Sequence, residues 1–145
     1  MKILVTGAAG FIGYHVAHRL LEEGHEILSI DNCNTYYDPS LKAARLEQLK
    51  PFSAFKNIKL DLSESAKVFG EFKPQHVIHL AAQAGVRYSF EHPEAYVSSN
   101  LVGFFSILEA CRRYNVEHLI YASTSSVYGA NTRLPFSESH PVNHP

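Results

Sequence analysis

Two cysteines, Cys33 and Cys111, are all the thiol chemistry that the 145 residues carry. They lie far apart and form no Cys-x-x-Cys pair, which argues against a disulfide framework and fits a reducing compartment. Each reads as an inert thiol. An excess of one charge is missing too. The 13 Lys and Arg against 14 Asp and Glu leave a formal net charge of -1, so no broad basic surface is available to grip nucleic acid. Nine histidines are scattered along the chain and none falls in a His-Glu-x-x-His spacing, so no metal site is expected. No apolar run approaches the roughly 20 residues of a membrane helix. The chain opens directly on an apolar strand, Lys2 to Thr6, rather than on a charged leader. The expectation is a cytoplasmic protein with neither membrane nor nucleic-acid partners. Internal repeats and low-complexity stretches are also absent.

The composition, 46% apolar and 19% charged, is that of a globular domain. The length suffices to bury about two-thirds of the unfolded surface. Short apolar runs alternate with longer helical patterns. The strands are read at residues 3–6, 26–30, 58–60, 76–80 and 118–122. Helices are read at 11–23, closed by Gly24, and at 41–49, 63–72 and 93–114. Ser63 stands as N-cap of the third helix and Pro93 opens the fourth. Uniformly apolar strands separated by helices predict an α/β fold: a doubly wound, Rossmann-like parallel sheet covered on both faces. In such sheets the ligand lies outside the carboxyl ends of the strands, where strand order reverses. Residues just after each strand therefore carry the most weight.

The first of these segments is glycine-rich. Gly7, Gly10 and Gly13 follow a G-x-x-G-x-x-G spacing between the first strand and the first helix. Glycine permits a tight turn and close backbone approach, and a helix N-terminus offers free N–H groups and partial positive charge to a pyrophosphate. Asp31 ends the second strand 18 residues after Gly13. There a carboxylate can accept hydrogen bonds from a ribose and repel a 2′-phosphate. No Lys or Arg follows before Lys42, so NAD is favoured over NADP. The post-strand stretch from Asp31 to Thr35 and the acid Asp61 after the third strand extend the candidate site.

These segments, with Asp31-Asn32, Asp61-Leu62, His79-Leu80-Ala81-Ala82 and the run Ser123 to Gly129, occur in one order. Together they resemble the extended short-chain dehydrogenase/reductase family, specifically its nucleotide-sugar epimerases, over essentially the whole chain. Residues 82–89 and 31–38 look most like the UDP-glucuronate 4-epimerase group. The resemblance implies a pyrophosphate against Phe11 and Ile12, and the adenosine ribose at Asp31, Asn32 and Asn34. Adenine would lie at Asp61 and Leu62. The nicotinamide side would be lined by Leu80, Ala81, Ala82, Gln83 and Ser123, with Asn100 reaching in from the long helix. Thr124 matches the hydroxyl that bonds the reacting sugar oxygen. Ser125 and Ser126 flank it, and Arg87 is placed to face an anion of a UDP-sugar. The implied reaction is redox-neutral: a tyrosinate removes the proton of the sugar 4-hydroxyl while NAD takes and returns the 4-hydrogen. An acid in place of Ser125 would have pointed to a sugar-nucleotide dehydratase.

One family element is missing. Four residues after the eight tyrosines stand His18, Ser40, Leu41, His92, Asn100, His118, Ser125 and Thr132, so no Tyr-x-x-x-Lys occurs. The family places that pair just beyond the segment that here runs from Glu138 to Pro145. The expectation is therefore an incomplete NAD-binding domain over residues 1–145, without later strands or a C-terminal substrate-binding part, and inactive alone. The alternatives are a non-catalytic NAD-binding module, or a sibling UDP-glucose 4-epimerase or sugar-nucleotide dehydratase. Leu101, Phe104, Phe105, Ile107 and Leu108 include more apolar surface than one sheet face covers. A homodimer through the 93–114 helix is expected from this and from the family.

Overall fold

Alternation along the first strand decides how the sheet is covered. In β1 (Lys2–Thr6) Leu4 points to one face, and Ile3 and Val5 to the other. All of them are buried, so both faces must be packed. A computed structural model describes residues 1–143. It shows β2 (Glu26–Asp31), β3 (Phe55–Lys59), β4 (His76–His79) and β5 (His118–Tyr121) joining β1 in one five-stranded sheet. The order is β3-β2-β1-β4-β5, and every pairing is parallel. Rossmann-like topology is thus observed as expected. His144 and Pro145, at the end of the segment before the family's catalytic pair, lie outside the described residues.

The helices divide between the faces. On one side α1 (Phe11–Glu22) and α2 (Pro39–Leu49) cover Ile3, Val5 and Ile27 with Ala17, Leu21 and Leu49. On the other, α3 (Ala66–Phe72) and a later helix cover Leu4, Leu28, Ile30 and Val77 with Phe69, Ile107 and Ala110. Among the described residues no helix is long and apolar enough to cross a membrane. The cysteines are not paired with each other, and burial pushes the Cys111 thiol up to about 11, which keeps it protonated.

Several boundaries differ from the sequence reading. The second helix starts two residues earlier, because the Asp38 carboxylate accepts a 2.8 Å hydrogen bond from the Ser40 N–H and Pro39 takes the first turn. Ser63 does not cap the third helix. Asp61 accepts from Ser63 instead, capping a single 3₁₀ turn (Leu62–Glu64) before α3 begins. The third strand lies at 55–59 rather than 58–60, where Phe55 and Ile58 pack on the sheet. The long fourth helix is a composite: α4 (Tyr88–Glu91), α5 (Pro93–Tyr96), a π-helical stretch (Val97–Gly103) and α6 (Phe104–Arg113).

β1 and β4 are tied at their carboxyl ends by one hydroxyl. The buried Thr6 Oγ1 accepts from the Leu80 and Ala81 N–H groups, both at 3.1 Å. With both lone pairs used, its O–H donates to His79 Nδ1 at 2.8 Å. His79 is therefore neutral with its proton on Nε2, and its ring stacks on Phe104 at 5.4 Å. Burial pushes the imidazole down to about 4. Unfolded, the ring titrates near 6.5, so between those values only the unfolded chain binds the proton. The resulting stability is complete above about pH 6.5 and is lost as pH falls towards 4, on the order of 3 kcal/mol. Urea unfolding between pH 7 and 4 should show that loss, and His79→Gln, which keeps an acceptor for Thr6, should flatten it by that amount. Parallel pH profiles for the two proteins would contradict the assignment.

Candidate functional site

The strand order reverses between the paired strands β1 and β4, and a cleft opens there at the carboxyl ends of the strands. Its floor is the glycine turn. Gly7 adopts φ +79 and donates its N–H to Ile30 O at 2.8 Å, and Gly10 closes the turn onto Gly7 O at 3.0 Å. A Cβ on Gly7 would stand 2.8 Å from the Ala81 nitrogen, and one on Gly13 would overlap the Gly7 carbonyl. These glycines let β1, α1 and the loop after β4 meet. Gly10 caps α1 with no side chain, and no acid occupies its first turn. The N–H groups at the head of α1 therefore lie open beside Phe11, Ile12 and Gly13, all of which line the cleft.

The cleft has a volume of about 590 Å³. Its walls include Asp31, Asn32 and Asn34 after β2, Asp61 and Leu62 after β3, and Leu80, Ala81, Ala82 and Gln83 after β4. The sequence reading singled out each of these. Asp31 is only 8% exposed, and its two oxygens accept the Ala9 N–H at 3.1 Å and the Cys33 N–H at 2.8 Å. It therefore staples the glycine turn to the loop after β2. Burial works to raise the Asp61 carboxyl, but hydrogen bonds from the Ser63 backbone and hydroxyl and from Asn32 outweigh it and hold the group below its usual range.

Other expected residues lie elsewhere. Thr35 and Ser123 are not in the cleft wall, which ends at Ala122 beside β5. Thr124 accepts from the Ser126 N–H at 3.2 Å and caps the short 3₁₀ turn Ser125–Tyr128, so its hydroxyl holds local backbone. Ser125, Ser126 and Arg87 are exposed and also outside the wall. Asn100 does not project into the cleft. Its Oδ1 accepts from the Gln83 N–H at 2.8 Å and its Nδ2 donates to Gln83 O at 2.9 Å, which clamps the loop after β4 instead.

The sequence reading missed the contribution of α2 and of the loop before it. Tyr36, Tyr37, Leu41, Lys42 and Arg45 all line the cleft. Lys42 is 7% exposed, and its ammonium donates to Asn34 O at 2.9 Å and Asn34 Oδ1 at 2.8 Å. Arg45 donates to Ala9 O at 3.2 Å. Lys42 was noted only as the nearest cation after Asp31; the helical spacing of 42 and 45 was the available signal. A buried ammonium and a guanidinium thus share this end of the cleft with two carboxylates.

The class so defined is that of Rossmann-like α/β proteins with a ligand cleft at the switch point of the sheet. The model of the NAD dependent epimerase/dehydratase family matches residues 3–145, and the chain belongs to that family. It is 52% identical to the protein CapI of Staphylococcus aureus, covering all of this chain and 44% of that protein. It is 46% identical to a probable UDP-glucuronate 4-epimerase of Rhizobium meliloti, again over the whole chain and 43% of the relative. Among solved structures, the UDP-glucuronic acid 4-epimerase of Bacillus cereus, in complex with UDP-glucuronic acid and NAD, superposes with a TM-score of 0.87. There the identity is 36%, over 97% of this chain and 45% of that one. The Thermus thermophilus UDP-glucose 4-epimerase complexed with NAD gives a TM-score of 0.80 at 37% identity, over 97% of this chain and 44% of that one. The chain spans less than half the length of these relatives.

Proposed function

We propose that this chain forms the NAD-binding part of a nucleotide-sugar 4-epimerase that interconverts UDP-glucuronate and UDP-galacturonate when full-length. The observation that carries the reading is the cleft at the β1–β4 junction, with an uncapped helix N-terminus on its floor and Asp31 on its wall. The residues present fit a dinucleotide. The open N–H groups of Phe11, Ile12 and Gly13 suit a pyrophosphate, and the glycine backbone leaves room for its approach. The remaining lone pairs of Asp31 accept ribose hydroxyls, while its charge disfavours a 2′-phosphate. Asp61 and Leu62 border the adenine, and Leu80 to Gln83 border the nicotinamide. Bound NAD supplies a reversible hydride acceptor for the sugar C4 position.

Asn100 acts through Gln83 by fixing the loop that lines the nicotinamide end. Arg87, Thr124, Ser125 and Ser126 are the residues of this chain proposed to meet the UDP-sugar, from outside the cofactor cleft. The base is proposed to come from a Tyr-x-x-x-Lys beyond residue 145, since none occurs within it. The likeness to UDP-glucuronate 4-epimerases at 45–48% identity supports this sugar over UDP-glucose.

The helical face formed by Val97, Leu101, Phe105 and Leu108 is 41–66% exposed and entirely apolar, with spacings of four, four and three residues. We propose it as the surface on which two copies of the protein meet.

The full-length protein encoded by the gene should convert UDP-glucuronate to its 4-epimer, read by chromatography of the nucleotide sugars, and leave UDP-glucose unchanged. Residues 1–145 alone should form no product. Epimerisation by the 145-residue piece, or a preference for UDP-glucose, would overturn the respective part of the reading. Asp31→Asn should weaken NAD binding by calorimetry ~10-fold or more, the loss of a charged hydrogen bond, and narrow the preference for NAD over NADP. An unchanged NAD affinity would contradict the ribose assignment. Leu101→Glu combined with Phe105→Glu should turn a dimer into a monomer in sedimentation analysis. A monomeric parent protein would refute the proposed interface.

A further inference from the structure

The loops after β2 and β4 touch each other, although β1 lies between their strands in the sheet. Any contact between them must therefore pass over the carboxyl end of β1, where the glycine turn forms the cleft floor. Two such connections exist, one polar and one aromatic.

The polar connection starts on α2. Lys42 donates to Asn34, and Asn34 Nδ2 donates to Gln83 Oε1 at 3.4 Å. The Gln83 backbone is in turn held on both sides by Asn100 of the π-helical stretch. One chain of hydrogen bonds thus runs across the cleft from the helix on one wall to the helix on the other. Two of its members are buried: Lys42, where it starts, is 7% and Gln83 6% exposed.

The aromatic connection runs alongside it. The Tyr36 ring packs on Tyr37 and on Tyr88, both at 4.6 Å between centroids. Tyr88 continues to His92 at 4.4 Å and to Tyr96 at 6.4 Å. Tyr96 donates its hydroxyl to Ala84 O at 2.8 Å and also bonds Gly85 O. Gly85, at φ +99, leaves the space that the Tyr36 hydroxyl fills, since a Cβ there would overlap it. Tyr36 and Tyr37 face the cleft, whereas Gly85 and Tyr88 stand outside its wall.

We propose that this double bridge is a latch over the bound dinucleotide, and that Tyr36, Tyr88 and Gly85 set how slowly the cofactor leaves. The inference rests on the dinucleotide reading of the cleft. A ligand lying along the glycine turn has the bridge above it, so release requires the aromatic stack and the Asn34–Gln83 bond to part together. Breaking the stack accelerates dissociation while the groups that bind the ligand stay in place. Retention of this kind suits a redox-neutral reaction, in which the cofactor ends each turnover as it began and never has to exchange.

The test is the release rate of NAD from the full-length protein. The protein is loaded with NAD and mixed with an excess of an unrelated dehydrogenase and its substrate, which convert released NAD to NADH absorbing at longer wavelength. Tyr88→Ala and Gly85→Ala should each release NAD at least ~10-fold faster than the parent, with folding checked by circular dichroism. Tyr88→Phe, which keeps the ring, should match the parent. Release from both disrupted variants within about twofold of the parent would overturn the latch. So would a Tyr88→Phe protein that behaves like Tyr88→Ala. A parent protein that binds no NAD would instead overturn the reading of the cleft itself.

Discussion

The Thr6 side chain sits where the sheet has to do two incompatible things. β1 and β4 must stay paired to their ends, yet the chain leaving β1 must turn sharply away to begin α1. The hydroxyl resolves this by accepting the N–H groups of Leu80 and Ala81, the first residues after β4. Leu80 shares its N–H with the Thr6 carbonyl, whereas the Ala81 N–H would otherwise lack a partner at the end of the ladder. The hydroxyl's own proton goes to His79, and the neutral ring stacks under Phe104 at the start of α6. Gly7 can then lie against Ala81 with no side chain between them. The position of the cleft floor, and of the loop forming one of its walls, depends on this junction.

From there the site is assembled by backbone-directed bonds rather than by ion pairs. Asp31 staples the glycine turn to the loop after β2, Asn100 clamps the loop after β4, and Lys42 holds Asn34 from α2. Each is a buried or half-buried group bonded to backbone or amide, so each loop is fixed before any ligand arrives. Such preorganisation lowers the ordering cost of binding. The surface ion pairs, such as Arg19–Glu23 and Arg112–Glu109, lie on exposed helix faces and contribute little.

Much of this was legible in the sequence because it depends on local spacing. Apolar runs separated by helical periods imply a parallel sheet, and glycines followed by an acid 18 residues on imply a turn and a strand end. The structure places Asp31, Asn32, Asn34, Asp61, Leu62 and Leu80 to Gln83 around one cleft. What was not legible depends on contacts distant in sequence. The phase of α2 that turns Lys42 and Arg45 inward is set by packing of Leu49 against β1 and β2 neighbours. The meeting of Tyr36 with Tyr88 spans two post-strand loops and has no periodic signature. The π-helical stretch breaks the 3.6-residue period on which the long helix was read, and this re-aims Asn100 at Gln83. Asp61 displaced Ser63 as a cap because both residue types favour that position and only the path of the chain chooses between them.

The most direct measurement is a crystal structure of the full-length protein grown with NAD. The account predicts the pyrophosphate against the backbone of Phe11, Ile12 and Gly13, with the adenosine ribose hydroxyls on the Asp31 carboxylate and the nicotinamide beside Leu80 to Gln83. A dinucleotide bound elsewhere, or lying in the cleft with its ribose away from Asp31, would contradict it.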